Sequence, residues 1–177
     1  MRELCARDVM TTEVTTVSQD VLVEELIGLL RASHFSGIPV VDGDGRAVGV
    51  VSETDILRAL AYTIGPPGSG EFAPTFQAGK KRVSSVLLDA VSHDDLHAAA
   101  SLRGLVSRPV RELMTPYVHH CGPDARVVEV CEMLVWKEIR RVVVLDAERR
   151  PIGMISSIDL IRRLGEWLHH ADEAHRA

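Results

Sequence analysis

Two short segments of the sequence place a serine three residues before an aspartate, and each serine follows a glycine and two apolar residues. The segments run from Gly49 to Asp55 and from Gly153 to Asp159. A serine with an acid three residues later is typical of a capping box at the start of a helix. The same groups suit a nucleotide, because free N–H groups at a helix start attract an anion and a carboxylate accepts hydrogen bonds from ribose hydroxyls. Glycine inside a strand often marks the close approach of another backbone or of a ligand.

Two adjacent arginines, Arg140 and Arg141, precede a β-branched run over residues 142–145. Guanidinium groups match phosphate oxygens in paired hydrogen bonds, so the two residues suit a phosphate clamp. The alternative is a solvated start of a strand. The equivalent positions in the first half of the chain are Ser36 and Gly37, and the first half is therefore expected to lack such a clamp.

Both serine–aspartate segments belong to an internal repeat, since residues 7–60 align on residues 111–164 without a gap. Each copy predicts the element order β-α-β-β-α. An acid, Asp20 or Asp124, is expected to cap the first helix of each copy, and a polar turn between two β-branched runs predicts a hairpin. The second helix then begins at the serine of each serine–aspartate segment. A unit of this size is too small to be very stable alone, which favours pairing of the two copies.

The repeats set the predicted domain boundaries. Residues 1–62 form the first repeat, residues 63–108 form a linker with helices of its own, and residues 109–177 form the second repeat with a helical tail. In the linker, His93 and His97 are four residues apart, but no third metal ligand is evident. A solvated polar helix is therefore favoured over a metal site.

Composition narrows the class of protein. The 177 residues include 25 acidic and 20 basic side chains, and the net charge of −5 argues against a general nucleic-acid binder. No apolar run approaches the ~20 residues of a membrane-spanning helix, and the first residues contain no stretch typical of a signal peptide. Three cysteines without a Cys-x-x-Cys pair favour a reducing cytoplasm. No nucleophile–base motif, phosphate-binding loop or metal cage is found, so we expect no catalysis, no metal and no cofactor.

Together these motifs resemble a pair of CBS domains, the domain named after cystathionine beta-synthase, in a stand-alone protein. The resemblance is carried by Met10-Thr11, Met114-Thr115, the run Ile38-Pro39-Val40-Val41-Asp42 and the two Gly-x-x-Ser-x-x-Asp segments. It implies an α/β (α+β) fold in which two β-α-β-β-α repeats pack through their sheets with pseudo-two-fold symmetry, a Bateman module. It also implies clefts between the repeats that bind adenosine-containing ligands, a homodimer of two modules, and a regulatory role.

The resemblance also assigns residues to the two clefts. The cleft built on the second repeat is expected to bind AMP, ADP or ATP and to use Ser156, Asp159, Met154, Arg140, Arg141, Thr11, Thr16 and Ser36. A second, weaker cleft would use Ser52, Asp55, Val50, Thr115 and His120. The aspartate would accept hydrogen bonds from the ribose hydroxyls, and an arginine would bind the phosphate. The module would then signal to a partner protein. The alternative is a ligand-independent dimerisation or protein-interaction module.

Overall fold

The computed structural model of the protein describes residues 3–32, 37–64 and 102–176. Most of the predicted linker, together with His93 and His97, lies outside the described residues. Ser36 lies outside them as well.

Each repeat contains the predicted order β-α-β-β-α, with a short helical turn before its first strand. The first repeat consists of α1 (Ala6–Val9), β1 (Val17–Ser18), α2 (Val23–Ala32), β2 (Gly37–Val41), β3 (Ala47–Ser52) and α3 (Glu53–Ile64). Residues 102–106 are helical and are followed by a 3-10 turn over Val110–Glu112. The second repeat continues with β4 (His120–Cys121), α4 (Val127–Trp136), β5 (Arg141–Leu145), β6 (Pro151–Ser156) and α5 (Ser157–Arg176). The predicted helical tail is therefore an extension of α5.

Each repeat builds one three-stranded sheet, with the orders β1-β2-β3 and β4-β5-β6. In the second sheet β4 runs parallel to β5, and β5 runs antiparallel to β6. The β5–β6 register sets Arg141 opposite Ser156 and Val144 opposite Gly153. This register brings the start of β5, where the arginines lie, next to the end of β6, where α5 begins.

The predicted hairpin turn between β2 and β3 is present. Asp42 Oδ1 accepts hydrogen bonds from the N–H groups of Asp44 and Arg46, each at 2.9 Å. Gly45 has a φ of 79°, in the left-handed region where glycine is favoured. The equivalent residue in the second repeat is Arg149, whose φ is 66°.

The residues at the start of each repeat belong structurally with the other repeat. We call residues 4–11 and 108–115 the leading segments. The first pairs with the second repeat through the bridges Cys5–Arg126 and Thr11–Met154. The second makes the equivalent bridges, Leu22–Pro109 and Val50–Thr115, with the first repeat.

The compact units of the chain reflect this exchange. One unit comprises residues 1–16, 41–47 and 117–177, and the other comprises residues 17–40 and 48–116. The core of the first unit combines a residue of the leading segment with α4, β4, β5 and β6, through Ala6, Cys121, Val130, Leu134, Val142, Val144 and Ile155. The core of the second combines Val110 with β1, α2, β2, β3 and α3. Burial of such aliphatic side chains is the main stabilising term of a fold that is poor in aromatic residues.

The prediction that Asp20 and Asp124 cap the first helix of each repeat is wrong. Both helices begin three residues later than those acids. The first N–H of α2, that of Val23, donates to the carbonyl oxygen of Arg108 at 2.9 Å, and the equivalent bond at the start of α4 is 3.0 Å. The leading segments therefore satisfy backbone donors that a capping side chain would otherwise satisfy.

The two acids instead hold the leading segments in place. Asp20 pairs with Arg111 of the second leading segment, and Asp124 pairs with Arg7 of the first. All four side chains are largely exposed, so that each pair is expected to contribute at most about 1 kcal/mol.

Candidate functional site

The serine–aspartate segments form the junctions between the last strand and the last helix of each repeat. Asp159 Oδ2 accepts hydrogen bonds from the backbone N–H and from Oγ of Ser156, at 2.9 and 2.6 Å. Asp55 Oδ2 accepts the equivalent bonds from Ser52 at 2.8 and 2.6 Å. The bond from the serine N–H to the aspartate is present in both repeats, and the reciprocal bond of a capping box, from Asp159 N–H to Ser156 Oγ at 3.2 Å, is present in the second. Oδ2 of each aspartate accepts the bonds from the serine, whereas Oδ1 lies near other side chains.

The surroundings of Oδ1 differ between the two repeats. Asp55 Oδ1 lies 3.3 Å from Arg58 Nη1 and 3.5 Å from Thr115 Oγ1. Asp159 Oδ1 lies 3.4 Å from Arg162 Nη1. The side chain of Asp55 is 9% exposed and that of Asp159 is 20% exposed, so Asp159 is the more accessible carboxylate.

The predicted arginine pair lies beside the second of these junctions. Arg141 is opposite Ser156 in the sheet, and the carbonyl oxygen of Arg140 accepts a hydrogen bond from Ser157 N–H at 3.2 Å. Burial lowers the pKa of the Arg141 guanidinium, and the neighbouring charge of Arg140 lowers it further, whereas Asp159 raises it. Arginine nevertheless stays protonated at working pH. The junction therefore combines a carboxylate with a half-buried cation that is partly withdrawn from water.

The glycine of each motif lies under the leading segment, as its position in a strand predicts. A Cβ on Gly153 would clash with Met10 Sδ, and a Cβ on Gly49 would lie 2.8 Å from the carbonyl oxygen of Thr115. The close neighbour is thus protein. Thr11 exchanges two backbone hydrogen bonds with Met154, at 2.9 and 3.0 Å.

The structure places most of the residues predicted for the first cleft, the one built on the second repeat, in one compact unit. Thr11, Met154, Ser156, Asp159, Arg140 and Arg141 all belong to the first compact unit. Thr16 belongs to the same unit and is exposed, directly before β1. Ser36 is outside the described residues, and its predicted role stays a prediction.

The second set divides between the compact units. Val50, Ser52, Asp55 and Thr115 belong to the second unit, where Thr115 pairs with Val50 and lies near Asp55. His120 belongs to the first unit, and its Nδ1 lies 2.9 Å from the carbonyl oxygen of Val118.

Sequence analysis missed the arginines that contact the two aspartates, Arg58 and Arg162. A signal was present, because each follows its aspartate by three residues and the two are equivalent in the repeat. On a helix, residues three apart lie on the same face and can form an ion pair.

Two other kinds of feature are absent from the part of the chain that the structure describes. No group of three or more His, Cys, Asp or Glu side chains there is arranged to hold a metal ion. None of the helices over the same residues is both long and apolar enough to cross a membrane.

Comparison with known proteins identifies the family. The family model of the CBS domain matches residues 6–62 and again residues 110–166. The chain therefore belongs to the CBS-domain family and contains two copies of the domain, as the sequence motifs predict.

Similar proteins differ in how much of their length this chain covers. The uncharacterized protein MJ1426 of Methanocaldococcus jannaschii is 25% identical over 158 residues, which are 89% of this chain and 89% of that protein. Homoserine O-acetyltransferase of Methanohalobium evestigatum is 22% identical over 160 residues, which are 90% of this chain and 24% of that enzyme. The chain thus spans nearly all of one relative and about a quarter of the other.

Solved structures with the same fold are CBS domain pairs. The CBS domain of a membrane protein from Sphaerobacter thermophilus has a TM-score of 0.66 at 21% identity, over 91% of this chain and 88% of that one. CBSX2 in complex with AMP has a TM-score of 0.62 at 21% identity, and the match covers 92% of this chain and 96% of CBSX2. The CBS pair of MJ0100 in complex with 5'-methylthioadenosine and S-adenosyl-L-methionine has a TM-score of 0.61 at 18% identity. The match covers 93% of this chain and 98% of that one. At these identities the likeness establishes the fold, and the predicted fold class is confirmed.

Proposed function

We propose that the protein is a regulatory module that binds an adenosine nucleotide at the junction of β6 and α5. The observation that carries the proposal is the position of Arg141, which lies opposite Ser156 in the sheet, while Ser156 is hydrogen-bonded to Asp159. A carboxylate suited to ribose thus stands beside a cation suited to phosphate. AMP, ADP and ATP fit this pair because each joins a ribose to at least one phosphate. The nucleotide would be a regulatory ligand whose binding is signalled to a partner protein.

The ligands of the structural relatives support the adenosine part of the proposal. CBSX2 was solved with AMP, and MJ0100 with 5'-methylthioadenosine and S-adenosyl-L-methionine. All three ligands contain adenosine, but only AMP carries a phosphate. The preference for a phosphorylated adenosine therefore rests on the arginine pair of this chain, Arg140 and Arg141.

The junction in the first repeat is proposed as the weaker site. Asp55 has both Arg58 and Thr115 near its second oxygen and is less exposed than Asp159. The position equivalent to Arg141 is Gly37, which offers no cation. A nucleotide at this junction would have no cation equivalent to Arg141 to meet its phosphate.

We further propose that the regulatory role includes no catalysis and that the protein works in a reducing compartment, the cytoplasm. Cys5, Cys121 and Cys131 are all free thiols, which is typical of proteins of the cytoplasm. A homodimer of two such modules is part of the proposal.

A second candidate is a ligand-independent interaction module. It is favoured by the capping bonds of Ser52 and Ser156, which explain the serine–aspartate motif through helix formation alone. It is also favoured by apolar side chains exposed along α5.

Calorimetric titration of matched variants distinguishes the two candidates. Asp159→Ala should weaken every ribose-containing ligand, because it removes the hydroxyl acceptor. Arg141→Ala should weaken AMP or ATP by about 10–100-fold, since a charged hydrogen bond contributes about 1.5–3 kcal/mol, and should leave adenosine nearly unchanged. Asp55→Ala is the control, because it removes the same cap from the other repeat, at a similar cost of about 0.5–2 kcal/mol in stability.

Two results would contradict the proposal. If Asp55→Ala abolishes binding and Asp159→Ala does not, the ligand binds at the other junction. If AMP, ADP, ATP, NADH and S-adenosylmethionine all fail to bind the wild type at millimolar concentration, the interaction module is the better candidate. A thermal scan checks this independently, since a ligand at 100 times its Kd stabilises the folded state by about 2.7 kcal/mol.

A further inference from the structure

Arg162 lies at the carboxylate on which the proposed recognition of ribose depends. Its Nη1 is 3.4 Å from Asp159 Oδ1, whereas both bonds from Ser156 go to Oδ2. The Arg162 side chain is 66% exposed, whereas that of Asp159 is 20% exposed. Arg162 therefore interacts with the same oxygen atom that a ribose hydroxyl would need as its acceptor.

Arginines other than Arg162 also contribute positive charge near Asp159. Arg141 interacts with the same carboxylate, and Arg140 lies close enough to Arg141 to lower its pKa. Arg162 adds a third guanidinium group. Guanidinium groups near the carboxylate attract an anionic ligand but not an uncharged one.

The next arginine along α5 has a different partner. Arg163 Nη1 donates to Glu166 Oε2 at 2.8 Å, and the Arg163 side chain is 52% exposed. It resembles Arg162 in residue type, helix and exposure but pairs with a different acid. Arg163 is therefore a matched control for any effect that depends on contact with Asp159.

We propose that Arg162 is a selectivity residue that disfavours uncharged nucleosides relative to phosphorylated ones at Asp159. A nucleoside must displace Arg162 from Oδ1 and offers the released guanidinium no new partner. A nucleotide displaces it in the same way, but its phosphate supplies an anion for the released group. The inference rests on the proposed function, because it requires that Asp159 receives the ribose. Arg162 acts partly through Asp159 and is in that sense a positioning residue.

The expected size of the effect follows from the two interactions. An exposed ion pair shifts an equilibrium by a factor of about 1.5–5, so Arg162→Ala should tighten adenosine binding by that factor. A guanidinium–phosphate hydrogen bond contributes a factor of about 10–100, so the same variant should weaken AMP binding. The selectivity for AMP, expressed as the Kd for adenosine divided by the Kd for AMP, should fall about tenfold or more.

The test is calorimetric titration of the full chain with adenosine and with AMP at one fixed ionic strength. We expect Arg162→Ala to bind adenosine more tightly and AMP more weakly than the wild type. Arg162→Lys keeps a cation and should retain much of the wild-type selectivity. Arg163→Ala should leave the Kd ratio unchanged. The opposite changes for two ligands in one variant cannot arise from a general loss of structure, which would weaken both.

Two outcomes overturn the inference and are distinguishable. If the wild type binds AMP but Arg162→Ala changes the Kd ratio no more than Arg163→Ala does, the selectivity role is wrong and the proposed function stands. If the wild type binds neither adenosine nor AMP, the proposed function fails and the selectivity role fails with it.

Discussion

At the scale of single residues, the two strand–helix junctions differ in charge far more than in geometry. The bonds from Ser52 to Asp55 and from Ser156 to Asp159 agree within 0.1 Å. The difference lies in Arg141, which has glycine as its counterpart in the first repeat. Two copies of one local structure can therefore differ in ligand preference without any change in backbone.

Backbone conformation at one turn residue leads to a stability prediction. Gly45 has a φ of 79°, and a Cβ added there would meet no atom within 4 Å. The cost of Gly45→Ala is therefore conformational, and we expect about 1–2 kcal/mol of destabilisation because a left-handed residue with a Cβ is strained. Urea unfolding measures it.

The control for this prediction is Gly43→Ala in the same turn. Gly43 also has open space around an added Cβ, but its φ is not in the left-handed region. The control should therefore be neutral or slightly stabilising. Equal destabilisation by both variants would show that the turn, and not the φ of Gly45, determines the cost.

At the scale of elements, each leading segment pairs with the last strand in the sheet of the other repeat. Met10 covers Gly153, and Met114 and Thr115 cover Gly49. A side chain at either glycine would enter space that a leading segment fills, and overpacking of this kind costs about 1–3 kcal/mol. This accounts for a glycine at the same place in both repeats.

The two glycines should nevertheless differ in their response to substitution. A Cβ on Gly153 is closest to Met10 side-chain atoms, which can move, whereas a Cβ on Gly49 also meets the Thr115 carbonyl oxygen at 2.8 Å. That oxygen accepts a hydrogen bond from Val50 N–H at 3.0 Å. We therefore expect Gly49→Ala to lower the free energy of unfolding more than Gly153→Ala does, as measured by urea titration.

Shortening the two methionines provides the control. Met10→Ala should relieve much of the added cost of Gly153→Ala in the double variant, since it removes the atoms that clash. Met114→Ala should relieve less of the cost of Gly49→Ala, because the Thr115 carbonyl oxygen remains in place. Equal relief in both double variants would contradict the prediction.

The elements of each repeat could be predicted from the sequence because local patterns determine them. β-branched runs gave the strands, and the serine–aspartate motif gave the start of the last helix. The start of the first helix could not be predicted in this way. Its first N–H donates to a carbonyl oxygen of a leading segment distant in sequence, Arg108 in the case of Val23, and Asp20 is used in an ion pair instead.

The candidate site was predictable to the extent that its residues form motifs. Ser156, Asp159 and Arg141 lie in recognisable patterns, and the structure places them together. Arg162 follows Asp159 by three residues, as Arg58 follows Asp55, and this spacing is compatible with an ion pair on one helix face. The spacing alone does not show which carboxylate oxygen the arginine contacts, and the structure shows that it is Oδ1.

At the scale of the whole molecule, neither repeat is complete without a segment of the other. Each compact unit contains residues from both repeats. In the first unit Ala6, which is fully buried, comes from the leading segment of the first repeat and packs in the core of the second repeat. A domain boundary drawn in the linker therefore separates residues that share one hydrophobic core, and we infer that the repeats depend on each other for stability.

We expect the exposed apolar side of α5 to pair with a second copy of the chain. Along α5, five large apolar side chains are 51–63% exposed in the described part of the protein. Trp167 is one of them, and the other four are Ile158, Ile161, Leu164 and Leu168. Their spacing of three or four residues places them along one side of the helix. An apolar stripe of this kind is typical of an interface and is rarely left in contact with water.

We therefore expect a homodimer that uses this side of α5. Light scattering at micromolar concentration should give twice the chain mass of 19.4 kDa. Ile161→Glu should shift the protein towards the monomer, because dimerisation would then bury an unpaired charge. Arg163→Glu is the control, since at 100° per residue Arg163 lies on the other side of α5, and it should leave the mass unchanged. A monomeric wild type, or a dimer that tolerates Ile161→Glu, would show that the apolar side of α5 is not the interface.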